Sequence, residues 1–130
     1  SAASDVYKRQ IEIGFGLYEG TVVEERKGSI AYFFDDPENY VAEKGAESYE
    51  SLLARTKAFI ENVLFPIEEN KPDATVLISG HGALNKALFL HLLHKQLKDF
   101  WSGVYQGNCA VNQFEIKKGN VRLIDEARYY

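Results

Sequence analysis

The chain has 130 residues, of which 45% are hydrophobic and 26% charged, and its formal net charge is −4. That is enough for one domain around a single core, and it excludes a disordered chain. It also excludes a non-specific nucleic-acid binder, which needs a basic face, and no apolar run approaches the roughly 20 residues that cross a bilayer.

Ser1–Gln10 read as foreign to the rest. The chain contains no methionine, and Asp5-Val6-Tyr7-Lys8-Arg9-Gln10 resembles the translation of an adapter used in sequencing libraries. The expectation is a non-native tail over residues 1–10, with native coding sequence from about Ile11. Ile11–Gly20 carries three glycines in ten residues, which predicts an irregular segment rather than a regular strand. Glu12 and Glu19 stand out within it.

Val22–Lys27 predicts a short helix and Ile30–Phe34 a helix or loop, followed by the turn composition Asp35-Asp36-Pro37-Glu38-Asn39. Ser48 suits an N-cap and Glu50 a first turn, so a helix is expected to begin there. Leu52, Leu53, Phe59, Ile60, Val63 and Leu64 share one face of it, with Thr56 between them. Pro66 is expected to end or kink that helix, and Asn70-Lys71-Pro72-Asp73 to turn the chain. Thr75–Ser79 predicts a strand that is apolar on both faces, as central parallel strands are.

Ser79-Gly80-His81-Gly82-Ala83 joins that strand to a second helix, from about Ala83 to His94, with Leu84, Ala87, Leu88 and Leu92 as its buried stripe. An imidazole is thereby set at the carboxyl end of a strand, beside the free N–H groups of a helix. Open α/β sheets place ligands at such corners, and helix N-termini attract anions. His81 is therefore a candidate phosphate handler. His91 and His94 lie three apart, but no third metal ligand accompanies them. Gln96–Trp101 predicts another short helix. Cys109–Ile116 and Val121–Asp125 predict strands joined by Lys117-Lys118-Gly119-Asn120, an antiparallel hairpin at the sheet edge. Cys109 is the only cysteine, so no internal disulfide and no CxxC metal pattern exists; a reducing cytoplasm fits that usage. No repeat or linker divides residues 11–130.

Four blocks, in order, are similar to the histidine phosphatase superfamily, which includes phosphoglycerate mutases. They are Glu12-Ile13-Gly14-Phe15-Gly16-Leu17-Tyr18-Glu19-Gly20, Gly45-Ala46-Glu47-Ser48 with Arg55, Val76-Leu77-Ile78-Ser79-Gly80-His81-Gly82, and Asn108-Cys109-Ala110-Val111. The resemblance implies that residues 11–130 are the C-terminal part of such a domain. The fold class it implies is α/β, a three-layer α/β/α sandwich with a mostly parallel sheet that here lacks its N-terminal strands. The family's Arg-His-Gly motif, which carries the nucleophilic histidine, is absent, as is the arginine that follows the second family strand. Both are expected upstream of Ile11.

The chemistry implied is phosphoryl transfer through a phosphohistidine, as a phosphomonoesterase or phosphomutase. His81 would act as an imidazolium against a phosphoryl oxygen, and the N–H groups of Gly82 and Ala83 would bind phosphate beside it. Glu12 would protonate the leaving oxygen and then serve as base. The expected partner is a small phosphorylated metabolite, with no metal, no organic cofactor, no nucleic acid and no membrane. The chain alone is expected to be inactive. One rival reading is a non-catalytic binding or dimerisation module, a homodimer for instance, using Trp101, Tyr105, Tyr129 and Tyr130. Another is an α/β enzyme with a different nucleophile, although no Gly-x-Ser-x-Gly elbow or Walker-type loop is present.

Overall fold

An aromatic hub closes the first half of the chain in the computed structural model, which describes residues 11–130. The tail expected over Ser1–Gln10 lies outside the described residues. Phe33 is buried, stacked on Tyr49 at 5.1 Å between ring centroids and met edge-on by Phe15 and Tyr40. Tyr49 Oη donates to the Phe33 carbonyl at 2.6 Å. Trp101 Nε1 donates to Tyr49 Oη at 2.7 Å and to the same carbonyl at 3.0 Å. Burial pushes the Tyr49 phenol well above its ordinary range, so it stays a neutral donor.

Short 3-10 turns at Gly16–Tyr18, Val23–Glu25, Gly28–Ala31 and Pro37–Asn39 carry the chain around this hub, with one α-turn, α1, at Tyr32–Asp35. Helix α2 spans Tyr49–Phe59, and Ser48 caps it as its sequence suggests: the Ser48 hydroxyl accepts from Ser51 N–H at 3.1 Å. Leu52 and Thr56 are buried. Pro66 does not end the helix. A π-turn at Ile60–Leu64 precedes α3, Phe65–Asn70, which starts with the proline in its first turn. A proline ring presses on the carbonyl four residues back and offers no N–H. The wider turn ahead of Pro66 accommodates both effects, so the helical path continues to Asn70.

Helix α4, Gly82–Leu92, packs its Ala83, Leu84, Ala87 and Leu90 into the core shared with α2 and the hub. Leu88 and Leu92 join Ile60 and Leu64 in a second cluster, against Ile78, Phe114, Ile116 and Val121. The hairpin is as expected: β1, Val111–Lys117, pairs antiparallel with β2, Asn120–Arg128. Lys118 and Gly119 both have positive φ, 51° and 77°, the twist that a two-residue hairpin turn needs.

Two expectations change here. Thr75–Ser79 has no regular secondary structure and belongs to no sheet, and the sheet among the described residues is the β1–β2 pair alone. Those residues therefore do not themselves form the parallel sheet and three layers expected from the sequence; they form a mixed α/β fold. Val76 and Leu77 are 45% and 91% exposed, the reverse of a central strand. Apolar side chains record the need for a cover, not its presence within the same stretch of chain. No helix among the described residues is long and apolar enough to cross a membrane.

Candidate active site

The N-terminus of α4 gathers the candidate residues. His81 occupies the N-cap with extended backbone, φ −116° and ψ 172°, and its carbonyl accepts the first helical bond from Asn85 N–H at 2.8 Å. Its side chain makes no cap to the helix, and the residue is exposed. Gly80 packs closely on the helix: a Cβ there would lie 2.8 Å from Asn85 Oδ1 and 3.1 Å from Leu84 Cδ2, so those side-chain ends would have to shift.

Glu12 arrives at this same terminus from 71 residues earlier in the chain. Its Oε2 accepts from Ala83 N–H at 2.9 Å, and its Oε1 from Leu84 N–H at 3.0 Å and from Ile13 N–H at 2.9 Å. The first N–H groups of a helix have no intrahelical acceptor, and the macrodipole adds attraction for an anion. Glu12 fills that vacancy. Gly82 borders the carboxylate: a Cβ at this position would stand 3.8 Å from Glu12 Oε2, an ordinary contact.

A groove of about 770 Å³ opens beside the corner. His81, Gly82 and Asn85 line it from the helix side, Gln106, Asn108 and Cys109 from the loop before β1, and Val76–Gly80 from the segment that leads into the helix. Glu12 and Ala83 lie outside that lining. The four candidate residues thus meet at one helix terminus, with His81 and Gly82 toward the groove and Glu12 seated on Ala83. Glu19, the other carboxylate of that segment, accepts from Phe15 N–H at 2.6 Å within its own loop.

The remaining candidates separate. His91 Nε2 lies 2.8 Å from the Leu53 carbonyl, which ties α4 to α2. His94 stands apart with a φ of 52°. Among the described residues no three His, Cys, Asp or Glu side chains converge as a metal site. Cys109 is a free, exposed thiol.

Three charged residues were given no role by the sequence, Glu47 and Arg55 being named only within the second similar block. Lys86 is buried on α4, where its Nζ donates to the Ser102 and Val104 carbonyls at 2.8 and 3.0 Å. Burial lowers its pKa, and the Glu126 carboxylate, 4.0 Å away, offsets part of that. A lysine inside an otherwise apolar helical stripe was the available signal. Glu47 and Arg55 form a bidentate pair at 2.9 and 3.0 Å. Burial alone would raise the Glu47 pKa, but the Arg55 guanidinium outweighs it and holds the carboxyl below its usual range.

Known proteins resemble this chain in family and in fold. The model of the histidine phosphatase superfamily (branch 1) matches residues 4–126. Phosphoserine phosphatase 1 of Hydrogenobacter thermophilus is 31% identical over 100 residues, which cover 72% of this chain and 44% of that protein. YhfR of Bacillus stearothermophilus superposes with a TM-score of 0.78 over 95% of this chain and 60% of its own, at 22% identity, a likeness of fold. The chain spans less than half the length of the curated relative it matches.

Proposed function

This chain belongs to the histidine phosphatase superfamily, and we propose that it is the acid–base and oxyanion-binding part of a phosphomonoesterase or phosphomutase whose nucleophile lies upstream. The observation that carries the reading is the convergence of Glu12 and His81-Gly82-Ala83 on one helix terminus. A phosphoryl group in transfer spreads charge over three oxygens, so it needs positive and N–H donors arranged before it arrives. His81 and Gly82 line the groove from which it would enter. Ala83 N–H becomes available to phosphate when the Glu12 carboxylate leaves it and takes up a proton from solvent as the phosphate enters; the carboxyl then gives that proton to the leaving oxygen. Glu12 then accepts a proton from the attacking water or hydroxyl.

The nucleophile in this reading is a histidine in an Arg-His-Gly motif, which the sequence given does not contain. Two features support an upstream location. The chain covers only part of its relatives, and Thr75–Gly80 offers an unpaired, apolar edge beside the groove. In the parent that segment becomes a central strand of a parallel, three-layer sheet. The substrate class is a small phosphorylated metabolite, and the single free thiol suits a cytoplasmic setting.

The test uses p-nitrophenyl phosphate. The chain as given should show no turnover above buffer, and His81-dependent hydrolysis by it would refute the missing-nucleophile reading. A parent with its upstream sequence restored should turn over, and His81→Ala or Glu12→Gln should lower kcat by about 10²–10⁴-fold. A restored parent that keeps more than about a tenth of its rate in both variants would refute the assigned roles.

A further inference from the structure

The loop ahead of α2 grips the segment that bears Glu12. Glu47 N–H donates to the Gly14 carbonyl at 2.7 Å, two residues beyond Glu12, and Leu17 N–H donates to the Lys44 carbonyl at 3.1 Å. Gly16 lies so close to this loop that a Cβ on it would overlap the Lys44 carbonyl oxygen. The grip is only as firm as Glu47, and Glu47 is held by Arg55. Arg55 Nε reaches Oε1 at 2.9 Å and Nη2 reaches Oε2 at 3.0 Å, while Ser51 Oγ donates to Oε1 at 3.0 Å. Both side chains are about one-fifth exposed, at 21% and 19%, so solvent screens this pair less than a surface one. The buried Arg55 Nη1 has no partner among the described residues, so the guanidinium is directed at Glu47 alone.

We propose that the Arg55–Glu47 pair is a positioning element that seats the Glu12 carboxylate on the N-terminus of α4. The chain of contacts has four links. Arg55 fixes the Glu47 carboxylate, the Glu47 backbone fixes Gly14, Gly14 fixes the turn holding Glu12, and Glu12 accepts from Ala83 and Leu84. Neither Arg55 nor Glu47 reaches the groove, so both act through Glu12. The functional meaning of the seat rests on the proposed role of Glu12; the seat itself rests on geometry alone.

Two backbone amides report on it directly. Ala83 and Leu84 stand in the first turn of α4, where no intrahelical carbonyl protects them. Their protection from hydrogen exchange therefore measures how well Glu12 is seated. The experiment is amide exchange by NMR on the full chain. Glu12→Ala should abolish protection at Ala83 and Leu84. Arg55→Ala should speed exchange at the same two amides by about tenfold, leave Leu88 in the middle of α4 at its wild-type rate, and be partly rescued in Arg55→Lys. Glu47→Gln, which keeps the side-chain shape and weakens the pair, gives the same readout should Arg55→Ala fail to fold. Wild-type rates at Ala83 and Leu84 in both Arg55→Ala and Glu47→Gln would overturn the proposal. So would an equal acceleration along the whole of α4, which marks general destabilisation. A restored parent whose turnover survives Glu12→Gln would sink the catalytic reading and leave the exchange result standing.

Discussion

Gly16→Ala tests the grip on the Glu12 segment as a matter of stability. Gly16 has a φ of +55°, and an alanine there loses about 1 kcal/mol through the left-handed backbone alone. Its Cβ would also overlap the Lys44 carbonyl oxygen and lie 2.5 Å from Gly45 C and 2.6 Å from Ala46 N. All three are backbone atoms, so no side chain can swing aside. The loop must retreat, and the two bonds that join it to the Glu12 segment, Leu17 N–H to Lys44 and Glu47 N–H to Gly14, are lost with it. At about 1 kcal/mol each, the total comes to about 3 kcal/mol. Gly20→Ala supplies the control. Its φ of +74° carries the same backbone penalty, but nothing lies within 4 Å of the added methyl, so about 1 kcal/mol is expected. Equilibrium urea unfolding of the three proteins at constant m-value measures the difference directly. Equal destabilisation by the two variants, within about 0.5 kcal/mol, would refute the idea that the loop presses on Gly16.

Acid should weaken the same region. The folded pKa of Glu47 lies below the ordinary carboxylate value, so the unfolded chain takes up this proton first as pH falls. Its contribution is complete above that value and fades as pH drops through the folded one. The stability gap between wild type and Glu47→Gln should therefore shrink when urea unfolding is repeated from pH 7 down to pH 3; a gap that stays constant would contradict the assignment. Lys86→Met should cost about 2 kcal/mol by leaving the Ser102 and Val104 carbonyls without their donor. Proteolytic nicking near Val104 is the second readout, and a stability equal to wild type would show that burial of the ammonium had cancelled its bonds.

Local chemistry was the legible part of the sequence. Ser48 announces its cap because a hydroxyl followed by an apolar periodicity has few other uses. Lys118-Gly119 announces its turn because Gly119 tolerates positive φ. Family resemblance put Glu12 in one site with the α4 terminus, but not its carboxylate on the Ala83 and Leu84 N–H groups, and no periodicity links positions 71 residues apart. Where a residue's environment depends on the wider fold, the reading failed. Thr75–Ser79 has the apolarity of an interior strand, yet its neighbours here leave Leu77 open. Pro66 obeys the rule against helix interiors only in part, because one widened turn relieves its ring and its missing N–H. Lys86 was overlooked because a charged residue on an apolar stripe is discounted, although a long stem can bury while its head finds two carbonyls.

The π-turn at Ile60–Leu64 also fixes the rotational phase of everything beyond it. Glu68, on α3, accepts from the Lys118 N–H of the hairpin turn at 3.0 Å, so the helix tail and the hairpin tip are keyed to each other. Forcing 60–64 into regular α winding with the residue count unchanged would swing the following side chains by about one residue's rotation, about 100°, around the axis. Glu68 would then point away from Lys118, and the hairpin would lose the tether at its far tip. The winding of this stretch, silent by every hydropathy criterion, decides how the two ends of the domain meet.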